Sequence, residues 1–407
     1  MTVKTHAPKA SCRVCRAPLA SSRLDLGHQP LCNRFLGDPG EEEYRHPLSA
    51  AICPACALLQ LVAPPPAREI TPRFSWIRYN EPEGHLDHLT RTLLALAPRK
   101  ERLVVAGVSY KDDSTLERFQ KAGADAVWRI TPEELGLDGA GAEIETVQDR
   151  LTPLRGAAIA GAHPAADILL VRHILEHSHD PAGFLGAVRT LVEPDGLVAF
   201  EVPDSTDFLT LLDYSPLWEE HVLYFTPATL KQCLALHGFE LVHLENYPYA
   251  LENSLVAVAR PREPRSASAV TAQERDREVA RAQQYFGSFA GERDHYRRAL
   301  AEYRRGGGEI ALLGAGHHAC MFLNLMDLAQ HVSCVLDDDR NRQGLFMPGS
   351  RLPIRPGTLL AEGAIGLCLL SLNPANEEKV IARQHDFADA GGVFKSIYPS
   401  SRHAIRS

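Results

Sequence analysis

Apolar and polar positions alternate in a regular way along much of this chain. Between about residues 80 and 260, short apolar runs are "RLVVAGV" (102–108), "ADILLVRH" (166–173) and "GLVAFEVP" (196–203). Between them lie stretches with apolar residues at helical spacing, "DDSTLERFQKAG" (112–123) and "DPAGFLGAVRTLVE" (180–193). Runs of the first kind predict buried strands and runs of the second kind amphipathic helices. Their alternation predicts a parallel sheet covered by helices. A second series begins at Glu309: "EIALLGAGHHACMFLNLM", "VSCVLDDD" and "IGLCLLSL" again read strand, turn, helix, strand.

Two stretches interrupt the pattern. "VAPPPAREITP" (62–72) reads as a linker, because a proline run stiffens the chain and opposes helix. "RPREPRSASAVTAQ" (260–273) reads as a second linker, followed by a long, highly charged helical segment that ends in Gly306–Gly308, with Gly287 as a candidate break. No short-period repeat is present.

Composition narrows the class. The 407 residues, 45% hydrophobic and 23% charged, fit a soluble globular protein of two to four domains. A net charge of −8 and a pI near 6.1 argue against nucleic acid as a partner. No apolar run reaches the ~18 residues of a membrane span. The first residues, "MTVKTHAPKASCRVC", lack the apolar core of a secretory signal. Nine unevenly spaced cysteines suit a reducing compartment, so a cytoplasmic location is expected.

Five of those cysteines lie in the first 65 residues. Cys12-x2-Cys15 and Cys53-x2-Cys56 are two CxxC pairs, each able to place two thiolates on one tight turn. Together they predict a tetrahedral sulfur shell for structural zinc, ahead of a redox pair or an iron–sulfur site. Such a closed shell leaves no position for substrate, so its role is to fold a small module. Cys32, between the pairs, reads as a buried small residue rather than a fifth ligand.

The blocks "CRVCRAPLASSRLDLGHQPLCNRFL" and "YRHPLSAAICPACALLQL", then "ILEHSHDPAGFLGAVRTLVEPDGLVAFEVPD" and "PLWEEHVLYFTPATLKQCLALHGFELV", then "LLGAGHHACMFLNLM", "VLDDDRNRQGLFMPGSRLPI", "SLNPANEEKVIARQ" and "GGVFKSIYP", resemble in that order the sugar C-methyltransferases. The resemblance covers nearly the whole chain and implies an α/β protein of three units. These are a zinc-binding module (1–65), a class I methyltransferase-like, Rossmann-like domain (66–262) and a C-terminal Rossmann-like domain for substrate or nucleotide (263–407). It implies S-adenosylmethionine as cofactor and a nucleotide-linked keto-sugar, or a related natural-product intermediate, as substrate. The oligomeric state is not implied.

Methylation next to a ketone needs a base for the α-proton and stabilisation of the enolate. The family places a Tyr-His-Glu-His run there. This chain has Trp218, Glu219, Glu220 and His221, so the resemblance assigns the base to His221 and its orientation, or a sugar hydroxyl, to Glu220. Glu219 adds a carboxylate that would repel an enolate unless protonated or paired. In "FSWIRYNEPEGHLDHL" (74–89), Tyr79 is the counterpart of the family's tyrosine. The same segment also reads as a helix start, with Asn80 as cap and Pro82 and Glu83 in the first turn.

The cofactor turn departs most from the family. In "GVSYKDDSTL" the family's acid is replaced by Gly107, its first glycine by Ser109 and its last by Asp113; Asp112 alone matches. The next strand ends in Arg129, Ile130 and Thr131, where a ribose-binding acid is expected. Candidate cofactor contacts are therefore Gly107, Ser109, Lys111 and Asp112, with His173 at the end of a neighbouring strand. In the third unit Gly314-x-Gly316 is a partial dinucleotide fingerprint, with Asp337 at the ribose distance. His317 and His318 are candidate diphosphate contacts, and Arg340, Arg342 and Arg351 suit phosphate oxygens. The rewritten turn keeps two alternatives open: a scaffold turned to proton-transfer chemistry such as epimerisation without a methyl donor, and a non-catalytic binding subunit.

Overall fold

The computed structural model describes residues 10–74, 76–77, 81–98, 101–137, 144–265 and 268–405. Tyr79 and Asn80 lie outside them. Three sheets organise the chain.

The N-terminal sheet contains β1 (Arg23–Pro30), β2 (Arg45–Ile52) and β3 (Leu59–Leu61), all antiparallel neighbours. The expected linker carries a single helical turn, α1 (Ala67–Ile70), which Pro66 permits because proline fits immediately before a helix. Helix α2 (Leu86–Leu96) starts at Leu86, so Pro82 and Glu83 precede it rather than form its first turn.

The middle unit runs β4 (Val104–Gly107), α3 (Asp113–Lys121), β5 (Ala126–Arg129), α4 (Ile144–Arg150), α5 (Pro153–Ala162), β6 (Ala166–Arg172), α6 (Pro181–Leu191), β7 (Val192–Pro203) and α7 (Thr206–Leu211). After it come β8 (Leu223–Tyr224), α8 (Pro227–Leu236), β9 (Phe239–Tyr247) and β10 (Ser254–Pro261). The sheet order is β5-β4-β6-β7-β10-β9, with the first four strands parallel and β10 antiparallel to both neighbours. Strand β6 is buried at every position, as expected of a strand covered on both faces. Strand β8 leaves this sheet and pairs with β3, so the N-terminal sheet is completed by residues outside 1–65.

Helix α9 (Ala272–Arg305) is capped by Thr271 and Glu274, which exchange hydrogen bonds, and continues through Gly287 without a break. One glycine costs a helix only about 1 kcal/mol, a small loss within 34 residues. Tyr285 on this helix is fully buried, donates to the Asp213 carbonyl (2.7 Å) and accepts at its own carbonyl from the Tyr214 hydroxyl (2.6 Å). That pair fixes the segment leading to Trp218. The last sheet has β11 (Glu309–Leu313), β12 (Cys334–Leu336), β13 (Ile354–Arg355), β14 (Ile365–Leu370) and β15 (Val393–Ser396), all parallel in the order β13-β12-β11-β14-β15. Helix α10 (His317–Leu325) follows the glycine turn after β11.

Candidate active site and zinc centre

The two CxxC turns are near copies. Each closes with a backbone hydrogen bond, Arg16 N–H to Cys12 (3.0 Å) and Ala57 N–H to Cys53 (2.8 Å). In each, the residue after the second cysteine takes positive φ, Arg16 at 63° and Ala57 at 60°. Sulfur separations are 3.6 Å for Cys12–Cys56 and 3.4 Å for Cys15–Cys53. A tetrahedron with zinc–sulfur bonds of about 2.3 Å has edges of about 3.8 Å, so the four thiolates fit the ion. Gln60 donates to the Cys12 sulfur (3.1 Å) and accepts from the Arg13 N–H (2.9 Å), giving the site an outer support. Cys32 stands apart from the cluster and is buried.

The second site is a cavity of about 260 Å³ at the carboxyl ends of β4, β6 and β7, roofed by the amino end of α10. Such an edge, between two domains, is where ligands of open α/β sheets settle.

The rewritten turn forms one wall. Asp112 is fully buried and accepts from the backbone N–H groups of Val108 (2.8 Å), Ser109 (2.9 Å) and Arg172 (3.2 Å). A Cβ on Gly107 would lie 2.7 Å from the Asp112 Cβ, so this glycine makes room for the aspartate rather than for a ligand. Ser109 accepts from the Lys111 N–H (3.2 Å). Gly107, Ser109 and Asp112 are thus the framework of the turn, a correction to their expected role as direct contacts. Lys111 and His173 do face the cavity. The Lys111 ammonium rests on Glu81 (2.7 Å). At the end of β5, Arg129 is held by Asp113 (2.7 Å).

Beneath this wall lies Glu201, fully buried, which contacts Arg172 (2.5 Å), His173 (3.0 Å), His85 (3.1 Å) and the Ser254 hydroxyl (2.5 Å). Burial alone would raise its carboxyl; His173 and Arg172 outweigh that and hold it well below the usual carboxylate range. Burial would likewise lower His173, but Glu81 and Glu201 push it up to about 10.

On the opposite wall the segment 218–221 splits in two directions. Trp218 and His221 line the cavity. Glu219 turns to the zinc module and accepts from the Cys32 N–H (2.5 Å) and thiol (3.3 Å). Glu220 does the same with the Asn33 side chain (2.8 Å) and is 1% exposed. Both carboxylates anchor the module, so the expected catalytic role of Glu220 is corrected to a structural one, and Glu219 is paired away from any enolate. The His221 ring meets His177 edge-on at 4.8 Å, and burial holds both imidazoles neutral, His177 down at about 3. Trp218 stacks on His317 at 4.2 Å, and His318 pairs with the Ser215 hydroxyl (2.9 Å).

His317 and His318 therefore reach the cavity as expected, whereas Asp337 and Arg342 do not. Asp337 accepts from the Ala315 N–H (2.8 Å) and pairs with Arg342 (2.9 Å), whose guanidinium covers Phe35 and Trp76. Arg351 reaches the carbonyls of Pro39 and Glu41. These groups close the glycine turn and dock the zinc module, which corrects their reading as ligand contacts. The cavity also contains two carboxylates that motif reasoning passed over. Glu252, on the loop between β9 and β10, has its carboxyl pushed up to about 8 by burial and then by Glu81. Glu176 lies inside "ILEHSHD", where only its neighbouring histidines carry a recognisable signal.

Comparison with known proteins agrees with this layout. A zinc-binding-domain model matches residues 12–70, a methyltransferase-domain model 119–244 and a C-methyltransferase C-terminal-domain model 254–399. The C-methyltransferase NovU of Streptomyces niveus is 28% identical over 415 residues, covering 97% of each chain. Among solved structures, the 1,6-didemethyltoxoflavin-N1-methyltransferase of Burkholderia thailandensis is 15% identical, covering 44% of this chain and 78% of its own at a TM-score of 0.31. A SAM-dependent methyltransferase of Archaeoglobus fulgidus is 13% identical, covering 43% and 92%, also at 0.31. Likeness at that level adds nothing to the topology above. The three domain matches in order, together with the full-length relative, make the chain similar to the C-methyltransferases over nearly its whole length, and it is a methyltransferase with zinc and S-adenosylmethionine as its cofactors.

Proposed function

We propose that this enzyme methylates a carbon next to a carbonyl in a nucleotide-linked keto-sugar or a closely related keto substrate. The observation that carries this reading is the cavity itself. It brings neutral imidazoles and a carboxyl group tuned to near-neutral pH together at the sheet edge. A base works best when its pKa lies near the working pH. His221 is too weak a proton acceptor in its buried setting, so we assign α-proton removal to Glu252. His177 and His221 then face the carbonyl oxygen, where neutral imidazoles favour the enolate over the ketone. A cavity of about 260 Å³ takes the keto ring, and the nucleotide leaves it past His317, His318 and Asn373.

A second cavity of about 480 Å³ shares Glu81, Tyr110 and Lys111 with the first and adds Glu83, Asp113 and Glu117. Its carboxylates suit the ammonium and ribose hydroxyls of S-adenosylmethionine, and Lys111 suits its carboxylate. Arg129 is spent on Asp113, so the hydroxyl-binding acids come from α3 rather than from the end of β5. When bound, the cofactor supplies an electrophilic methyl group. Lys111 and Glu81 hold the boundary between the two cavities.

The test combines binding and exchange. Calorimetry should give micromolar affinity for S-adenosylhomocysteine in wild type and in Glu252→Gln alike. The variant should lose roughly 10²–10⁴-fold in kcat, the usual worth of a positioned base, together with solvent-deuterium incorporation at the α-carbon. Full turnover by the variant would remove Glu252 from the mechanism. Absence of binding up to millimolar in folded, zinc-loaded wild type would remove methyl transfer.

A further inference from the structure

We propose that Glu176, His177 and His221 bind one divalent first-row transition-metal ion inside the cavity, apart from the cysteine centre. Their candidate ligand atoms all lie within 4.8 Å of one another. All three side chains line the same cavity. Glu176 is 2% exposed, yet neither carboxylate oxygen has a hydrogen-bond partner; its nearest charged contact is the His173 ring nitrogen at 3.6 Å. A carboxylate buried in that way is costly unless something else satisfies it. A cation between Glu176 and the two rings would do so.

The donor set has the right chemistry. Imidazole ligands must be neutral, and burial keeps both rings in that form. Two imidazoles and one carboxylate on one side of an ion leave positions open to a small molecule, the pattern of catalytic rather than structural sites. The cysteine centre, with four thiolates, has no such opening. Bonds of about 2.1 Å place ligand atoms about 3–3.5 Å apart, so the cluster needs to close by up to about 1.5 Å. Lys111 and His173 oppose a second positive charge nearby, and Glu81, already between them, offsets them. The open positions face the space proposed for the substrate carbonyl. With an ion held there, His177 and His221 would act on that oxygen through the metal instead of directly, and the ion would polarise it and stabilise the enolate while Glu252 removes the proton.

The inference extends the methyl-transfer reading without needing it, because metal content is measured with no substrate or methyl donor. The full chain is saturated with Co²⁺, desalted and analysed for metal and absorption. Two equivalents per chain are expected. One should give the thiolate-to-cobalt charge-transfer band of the cysteine site, the other ligand-field absorption alone. Glu176→Gln and His177→Ala should each fall to one equivalent with the charge-transfer band unchanged. If one of these fails to fold, as judged by near-ultraviolet dichroism, His221→Ala takes its place. A single equivalent in saturated wild type, or a second equivalent retained by the folded variants, would overturn the site.

Discussion

The turns after β4 and β11 are the same device used twice, with opposite chemistry. Each follows a buried strand, opens a helix and is locked by an aspartate. After β11, Gly314 takes φ 106°, its Cβ position lies 2.5 Å from the Ser371 carbonyl oxygen, and Asp337 on the neighbouring strand takes the Ala315 N–H. After β4 the aspartate comes from the turn itself, and Asp112 takes three N–H groups. The β11 turn is shaped by a glycine that no other residue replaces, and the β4 turn by a carboxylate that occupies the space a glycine-rich loop would leave for a ligand. Both look onto one cavity, from opposite walls: Lys111 from the middle unit, His317 and His318 from the C-terminal unit.

If that contrast is right, removing the two aspartates has unequal consequences. Asp112→Ala takes the side-chain acceptor from the Ser109 and Arg172 N–H groups, leaves Val108 N–H only its bond to the Leu170 carbonyl and deprives Arg172 of a nearby charge, a loss of about 3 kcal/mol. Asp337→Ala frees the buried Ala315 N–H, the part-buried Asp339 N–H and the half-buried Arg342, for about 2 kcal/mol. Urea titration with peptide-resolved hydrogen exchange over β4 and β11 separates the units, which a single global midpoint would not. Equal losses would mean that the two turns are locked alike.

The glycines should reverse the order. Gly314→Ala forces positive φ on a residue with a Cβ and drives that atom into backbone, at a cost of about 3 kcal/mol. Gly107→Ala meets the Asp112 Cβ, at the root of a locked side chain, and the flexible end of Leu116, and should cost about 2 kcal/mol. The same exchange experiment reads both. A larger effect at Gly107 would show that the β4 turn also depends on glycine.

Parts of this arrangement were visible in the residues and parts were not, for physical reasons. The strand runs were legible because continuous apolar stretches have few other uses, and the cysteine pairs because four thiolates at that spacing have one dominant use. Gly314 was legible as a turn glycine, yet Asp337 was not legible as its lock, since an acid at that distance equally suits a ribose. The split of 218–221, with Trp218 and His221 facing the cavity and Glu219 and Glu220 facing the zinc module, depends on a loop conformation that no periodicity encodes. Glu252 lies in no recognised motif, and Glu176 lies in a block that resembles the family without being singled out by it. Their chemistry comes from burial by distant segments, which only the assembled fold supplies.

A further contrast concerns pH, where the two turns should slope in opposite directions. Burial raises Asp112 from 3.8 to about 7, against the lowering pull of its N–H donors and Arg172. The folded middle unit therefore holds that proton more tightly than the unfolded chain does. Its contribution is full below pH 3.8 and is lost as pH rises to about 7. Burial lowers His318 from 6.5 to about 4, so the unfolded chain is the better proton acceptor at the second turn. That contribution is full above pH 6.5 and is lost as pH falls to about 4. Between about pH 4 and 6.5, acidification should stabilise β4 and its neighbours while loosening β11 and α10, each by up to about 3 kcal/mol. Protein equilibrated in urea at each pH, then labelled in a brief pulse of fixed pH, reports the two units side by side. Asp112→Asn should flatten only the middle unit's slope, and His318→Gln only that of the C-terminal unit. Parallel slopes in wild type, or one variant flattening both, would mean that the cavity couples the two turns into one titrating unit.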